Sequence, residues 1–220
     1  VAVVLSGSET FGSVTLQAFG GDGLNQDGAA GTLYLEKASQ ASSGGHLIVD
    51  NNDLGSVIIK EGDATERIDP MTDLNGQDSV SFTFSMITVT NAGDLSIGSD
   101  DSITLSAGGT IAGDPNDGND GVRIDGGKLI TTDTTFSLGD AFLAIDSAGS
   151  FFSPGTAFNL NSGADWYINA AHTITGDVTM ASGSTMTHSS NRTSQVYATD
   201  LTVVGSVTVD AGASINVTAK

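Results

Sequence analysis

The chain predicts an all-β fold, a right-handed parallel β-helix (β-solenoid), with a β-sandwich as the alternative. Three observations carry that expectation. Residues 173–186 and 202–215 lie over each other without a gap at an offset of 29 residues, with Gly176 on Gly205 and Gly183 on Gly212. One corner format, an apolar residue, five small or polar residues and a second apolar residue, recurs at 89–95, 145–151, 168–174 and 209–215. No stretch holds the i, i+3, i+4 spacing of an amphipathic helix for long. Gapless internal similarity is expected of stacked coils and not of Greek-key strands.

In chain order, short alternating or apolar runs bounded by Gly, Asn and Asp cover 13–19, 32–36, 46–49, 56–59, 80–90, 102–105, 121–124 and 128–130. They continue over 141–145, 165–168, 173–180, 195–198, 201–204 and 206–209. Each reads as a strand too short to stand alone. Ile124, Ile145 and Ile168 follow one another at steps of 21 and 23 residues, the length of one coil. Three polar, Gly-containing stretches, 20–31, 61–78 and 113–121, read as insertions between coils. Val178, Met180, Val207, Val209 and Ile215 are expected to point inward, and Asp177 and Ser206 outward. Residues 1–220 form one solenoid domain in this reading. Because 1–5 and 215–218 are strand-like with no covering element, both outer coils are expected to be bare, as in a segment of a longer repetitive protein.

Composition narrows the function classes. At 220 residues and 38% hydrophobic the chain can bury a core. With 7 Lys+Arg against 26 Asp+Glu it carries a formal charge of −19, which repels phosphate backbones and anionic lipid, so no nucleic acid is expected as a partner. Cysteine is absent, which removes disulfides, thiolate nucleophiles and zinc–sulfur sites. No apolar run reaches the ~18 residues of a membrane-spanning helix, and no membrane insertion is expected. The 3 histidines, His46, His172 and His188, are scattered, and no zinc-protease, serine-elbow or P-loop string occurs.

The sharpest polar cluster is Asp114, Asn116, Asp117 and Asp120, with Asp125 beyond. Oxygen ligands on a Gly-rich loop suit calcium, which takes ~6–8 oxygens. The cluster departs from the D-x-[DN]-x-[DN]-G loop, having Gly118 at the fifth position and Asn119 where Gly is required, and a solvated insertion competes with the metal reading. Gly20-Gly21-Asp22-Gly23-Leu24-Asn25 is one near-copy of a calcium-roll repeat, against a plain glycine turn. Asp100-Asp101 is the arrangement a glycoside hydrolase would need only if a third carboxylate joined from another coil; a turn before 102–105 competes. Arg123 beside the acidic loop could serve as a lyase base, against an ordinary ion pair. Phe151, Phe152, Phe158, Trp166 and Tyr167 form either an exposed sugar platform or stacked core. Asn191 and Asn216 sit in glycosylation acceptor patterns.

Residues 31–40 and 45–51 resemble a repeat format of large bacterial extracellular β-helix proteins, and Val-Thr-Val-Asp-Ala-Gly-Ala-Ser-Ile at 207–215 is similar to adhesin and autotransporter-passenger coils. The resemblance extends over most of the chain in style and is specific at those stretches. It implies an extracellular or cell-surface setting and transfers no catalytic residue. The expectation is a non-catalytic stalk, adhesive or assembly module, with glycans or other surface proteins as partners and end-to-end self-association; the alternative is a polysaccharide-active hydrolase or lyase.

Overall fold

The computed structural model describes residues 1–21, 28–40, 42, 44–53, 57–61, 64–68 (backbone alone over the last two stretches), 71–74, 79–114, 120–189 and 196–218. Among them there is no helix. The strands stack in parallel as a β-solenoid of about five turns, so the sandwich alternative is set aside.

The chain enters through β1 (Ala2–Val4), β2 (Gly31–Glu36) and β3 (His46–Asp50), followed by an antiparallel pair, β4 (Val57–Glu61) and β5 (Ala64–Ile68), and a short β6 (Thr72–Asp73). The regular coils then begin. β7 (Ser81–Thr90) and β9 (Ser102–Ala112) each bend in mid-strand and supply two sides of a coil, which β8 (Asp94–Ile97) and β10 (Gly121–Ile124) complete. The next coils are β11 (Lys128–Thr131), β12 (Thr135–Leu138), β13 (Phe142–Ile145), then β14 (Phe151–Ser153), β15 (Ala157–Leu160), β16 (Asp165–Ile168). The penultimate coil is β17 (His172–Ile174), β18 (Asp177–Met180), β19 (Thr185–Thr187), and the last is β20 (Leu201–Val203), β21 (Val207–Val209), β22 (Ser214–Ile215).

These strands make three faces. The first joins the leading halves of β7 and β9 to β11 and β14, with β17–β20 as a separate pair further along. The second runs β1-β2-β3-β7-β9-β12-β15-β18-β21, and the third β6-β8-β10-β13-β16-β19-β22. Stacking is in register. Ile97, Ile124, Ile145 and Ile168 form one inward column, and Leu95, Val122, Leu143, Trp166 and Met186 another. Phe136, Phe152, Phe158 and Trp166 lock edge-to-face and stacked contacts across the interior, with centroids 5.0–5.8 Å apart. Each such side chain removed from water is worth about 1.5–3 kcal/mol, so the interior column is the main source of stability.

The 29-residue offset is present on all three faces: Thr173 pairs Thr202, Val178 pairs Val207 and Met186 pairs Ile215. The run 173–180 is two strands, because Gly176 turns the corner between them. A Cβ there would lie 2.0 Å from the Thr156 carbonyl oxygen of the coil below, so only glycine lets the coils close up.

Other expectations are corrected. The shared corner format serves two different corners: 89–95 and 209–215 lead from the second face to the third, whereas 145–151 and 168–174 lead from the third to the first. Small residues suit any tight corner, so the format marks a turn without saying which. Residues 13–19 carry no strand, since alternation without a neighbouring ladder gives the backbone nothing to bond, and Val14 is exposed. The described part of 195–198 is likewise irregular. The stretch 61–78, read as an insertion, contains β5 and β6.

The two ends differ. At the N-terminal end β2 and β3 pair antiparallel, and Leu33, Leu47 and Ala30 are buried behind them. Outside them lies β1, paired in parallel with β2, with Val1 and Val4 68% and 59% exposed. At the other end Val207, Val209 and Ile215 point inward as expected but remain 46%, 44% and 49% exposed.

Candidate functional site

The most developed polar arrangement lies on the solvent side of the third face. Strand pairing sets Arg123 on β10 between the coils that carry Asp94 and Asp146. Its Nε donates to Asp94 Oδ2 at 2.6 Å and its Nη1 to Asp146 Oδ2 at 3.3 Å. The guanidinium lies 4.8 Å from the centroid of Phe142, whose ring meets Tyr167 edge-on. Gly121 leaves room for this: a Cβ there would lie 2.4 Å from the Phe142 ring. The ladder continues upward, since Asn169 Nδ2 donates to Asp146 Oδ1 at 2.5 Å and to Ser189 Oγ at 2.9 Å, while Ser189 N donates to Asn169 Oδ1.

Burial disfavours the charged guanidinium, but Asp94 and Asp146 outweigh that cost and hold Arg123 above the usual arginine value. A permanently charged Arg that stitches successive coils is a clamp. As a proton acceptor for lyase chemistry it is in the wrong state. Burial also raises the Tyr167 phenol, with Asp165 adding to the effect. Asp94 and Asp146 lie 29 and 23 residues from Arg123 in sequence. Searching for carboxylates one coil length away from each cation would have found both; a search confined to the nearby acidic loop does not.

Asp114 and Asp120 converge on the corner between the second and third faces. Asp114 Oδ2 accepts Asn91 N at 3.0 Å, Asp120 Oδ1 accepts Gly93 N at 3.2 Å, and Asp120 Oδ2 accepts Asp114 N at 3.1 Å. Both carboxylates therefore already satisfy backbone donors of the coil below or of their own loop. Asn116 and Asp117 lie outside the described residues. Asp125 stands at the far end of β10 from Asp120, about 16 Å along an extended strand, beyond the reach of an ion held at Asp120. No cluster of three or more metal-ligating side chains occurs among the described residues. The near-repeat at 20–25 lies largely outside them.

Asp100 sits in a turn, and Asp101 caps it: Asp101 Oδ1 accepts Val80 N at 3.3 Å and Asp101 N donates to Gly98 O. The histidines belong to separate places. His46 Nε2 meets Thr88 Oγ1 at 2.7 Å on the second face, His172 lies on β17, and His188 follows β19 with Nδ1 against Ser189 O. Trp166, Phe152 and Phe158 are core, so the sugar-platform reading of the aromatic cluster falls to the stacked-core one. Phe151 is the exposed member. No helix among the described residues is long and apolar enough to cross a membrane. The sequence matches no family model, and no curated protein or solved structure matches it.

Proposed function

We propose that this chain is a non-catalytic structural or adhesive module of a secreted or cell-surface bacterial protein, a rod that spaces, assembles or presents other groups. The observation that supports it most is the clamp on the third face. Arg123, the cation beside the acidic loop considered for lyase chemistry, is engaged by Asp94 and Asp146 and ties three coils together. The acidity and the resemblance at 31–51 and 207–215 support the surface setting, with glycans or other surface proteins as partners. The same reading includes a structural Ca²⁺ on the 114–120 segment, supported by the convergence of Asp114 and Asp120.

A degradation screen against acidic and neutral polysaccharides tests the role, run on the chain and on Asp101→Asn and Arg123→Leu variants. No turnover is expected from any of them. Turnover that vanishes in either variant would replace this reading with the hydrolase or lyase. A melting curve that chelator leaves unmoved would remove the calcium.

A further inference from the structure

We propose that the first face binds a neutral, extended glycan, laid along the rod axis from Phe151 on β14 to Ser81 on β7. The site deepens the adhesive role and takes its partner class from that reading. Strand pairing builds it. With Ile103, Leu129 and Phe152 buried in the core, alternation turns their neighbours outward, and the in-register ladder lines these up in two rows. Ser81, Ser102, Lys128 and Phe151 make one row; Thr83, Thr104, Ile130 and Ser153 make the other. Phe151 is 47% exposed. Hydroxyls that both donate and accept, followed by an aromatic ring that can cover the C–H face of a sugar, are the complement of a pyranose chain. The ladder holds them in place before the ligand arrives, which lowers the ordering cost of binding.

Charge, size and spacing select this occupant. The strand residues of the face, 81–84, 102–105, 128–131 and 151–153, contain no Asp or Glu in a chain that has 26. The second-face strands carry Glu36, Asp50 and Asp177, and the third-face strands Asp73, Asp94 and Asp165. Lys128 makes no ion pair among the described residues, so its ammonium is available to a sugar hydroxyl or ring oxygen. One cation does not reverse a formal charge of −19, and Asp100, Asp125 and Asp133 stand at the corners that flank the face. A polyanion is therefore repelled. The four strands span about 14 Å and the two rows lie about 7 Å apart. Such a patch falls far below the ~800 Å² that each partner gives to a stable protein interface. The ~4.8 Å step between strands is close to the length of one pyranose unit, so an extended β-linked chain keeps one ring per coil while a curling α-linked chain leaves the face.

Cellohexaose, a neutral β-linked chain, is the probe. Titrated into the unaltered chain and followed by NMR and calorimetry, it should bind, shift the amide resonances of 81–84, 102–105, 128–131 and 151–153, and hold the same affinity from low to high salt. Phe151→Ala should weaken binding at least about tenfold, and Thr104→Arg, which fills the second row, should abolish it. Both side chains face outward, so the melting temperatures should stay close to that of the parent. Thr179→Arg on the second face should bind as the parent does. If Thr104→Arg does not fold, Phe151→Ala decides alone. No binding, binding indifferent to Phe151→Ala, an equal loss in Thr179→Arg, or polygalacturonate bound more tightly than cellohexaose overturns the site and leaves the structural role standing. Cleavage of the hexaose overturns that role instead, and binding lost in Phe151→Ala would still support the site.

Discussion

The penultimate and last coils have nearly the same sequence and opposite environments. Val178, Met180 and Met186 are 0%, 0% and 3% exposed; Val207, Val209 and Ile215, their partners 29 residues on, are 46%, 44% and 49% exposed. The ladder points both sets inward. What separates them is a covering coil: β20–β22 lie over the penultimate coil, and no described strand lies over β20–β22. A repeat period thus encodes direction, while burial in a solenoid belongs to the pair of neighbouring coils and not to one coil's own residues.

The largest effect expected from this difference is at Val178. Val178→Asp puts a charge between Phe158 and Val207 in a sealed column, at a cost of about 4 kcal/mol or more. Cooperative melting should be lost. Val207→Asp leaves its carboxylate within reach of water and should cost under about 1 kcal/mol, although the two valines occupy equivalent places in sequence. Equal damage at both sites, read by thermal melting at a concentration where the chain is monomeric, would break the comparison. It would mean that the last coil is covered in solution.

Next in size is Arg123→Leu, a change in mid-rod. It strips Asp94, which is 2% exposed, of its ion pair. Breaking a fully buried pair costs about 3–5 kcal/mol, and the 30% exposure of Arg123 reduces this to about 2 kcal/mol. Asp94→Asn with Arg123→Leu should recover much of that loss, because the buried charge goes too. Hydrogen exchange on β20–β22 should be unchanged, which separates a coil clamp from an effect on the end. Smaller again is Asp120→Asn, at about 1–3 kcal/mol. Each of its oxygens accepts a backbone N–H, and an amide nitrogen cannot replace the lost acceptor. Were the carboxylates of 114–120 chiefly repelling one another while awaiting a cation, the same change would raise the metal-free melting temperature.

The fold was readable because stacked coils must repeat their inward residues, and 173–186 against 202–215 shows this without any gap. Strands with no copy in the sequence were harder. Residues 135–138 and 157–160 are too short and too polar to stand out, and they are strands because a neighbour on each side supplies hydrogen bonds. The hairpin β2–β3 carried no signal that its pairing reverses, since alternation is the same for parallel and antiparallel strands. The clamp of Arg123 with Asp94 and Asp146 was missed for a related reason: its members adjoin only after the coil length has been applied. Proximity in sequence suggested the 114–125 loop, and the rise along β10 removes Asp125 from Asp120.

The smallest effect expected concerns pH and reports whether the last coil is seated. His172 on β17 is paired in register with Leu201 of the last coil and stacks on Phe152 at 6.2 Å. Burial pushes its imidazole below the ordinary value of 6.5, against an opposing hydrogen bond to the Phe152 backbone. Burial, with Lys37 nearby, does the same to His46 at the far end of the rod. In both cases the fold favours the neutral ring, so the unfolded chain takes up a proton first as pH falls. Stability is complete above pH 6.5 and declines below it, until the folded form is protonated as well. Gly205→Ala should then distinguish the two ends. Its Cβ would lie 2.6 Å from the Gly176 carbonyl oxygen, which forces the last coil away from the one beneath. NMR titration should show His172 returning toward its ordinary pKa in that variant while His46 stays depressed. Joint movement of the two histidines would mean that the coils loosen together and that the last one is no looser than the rest.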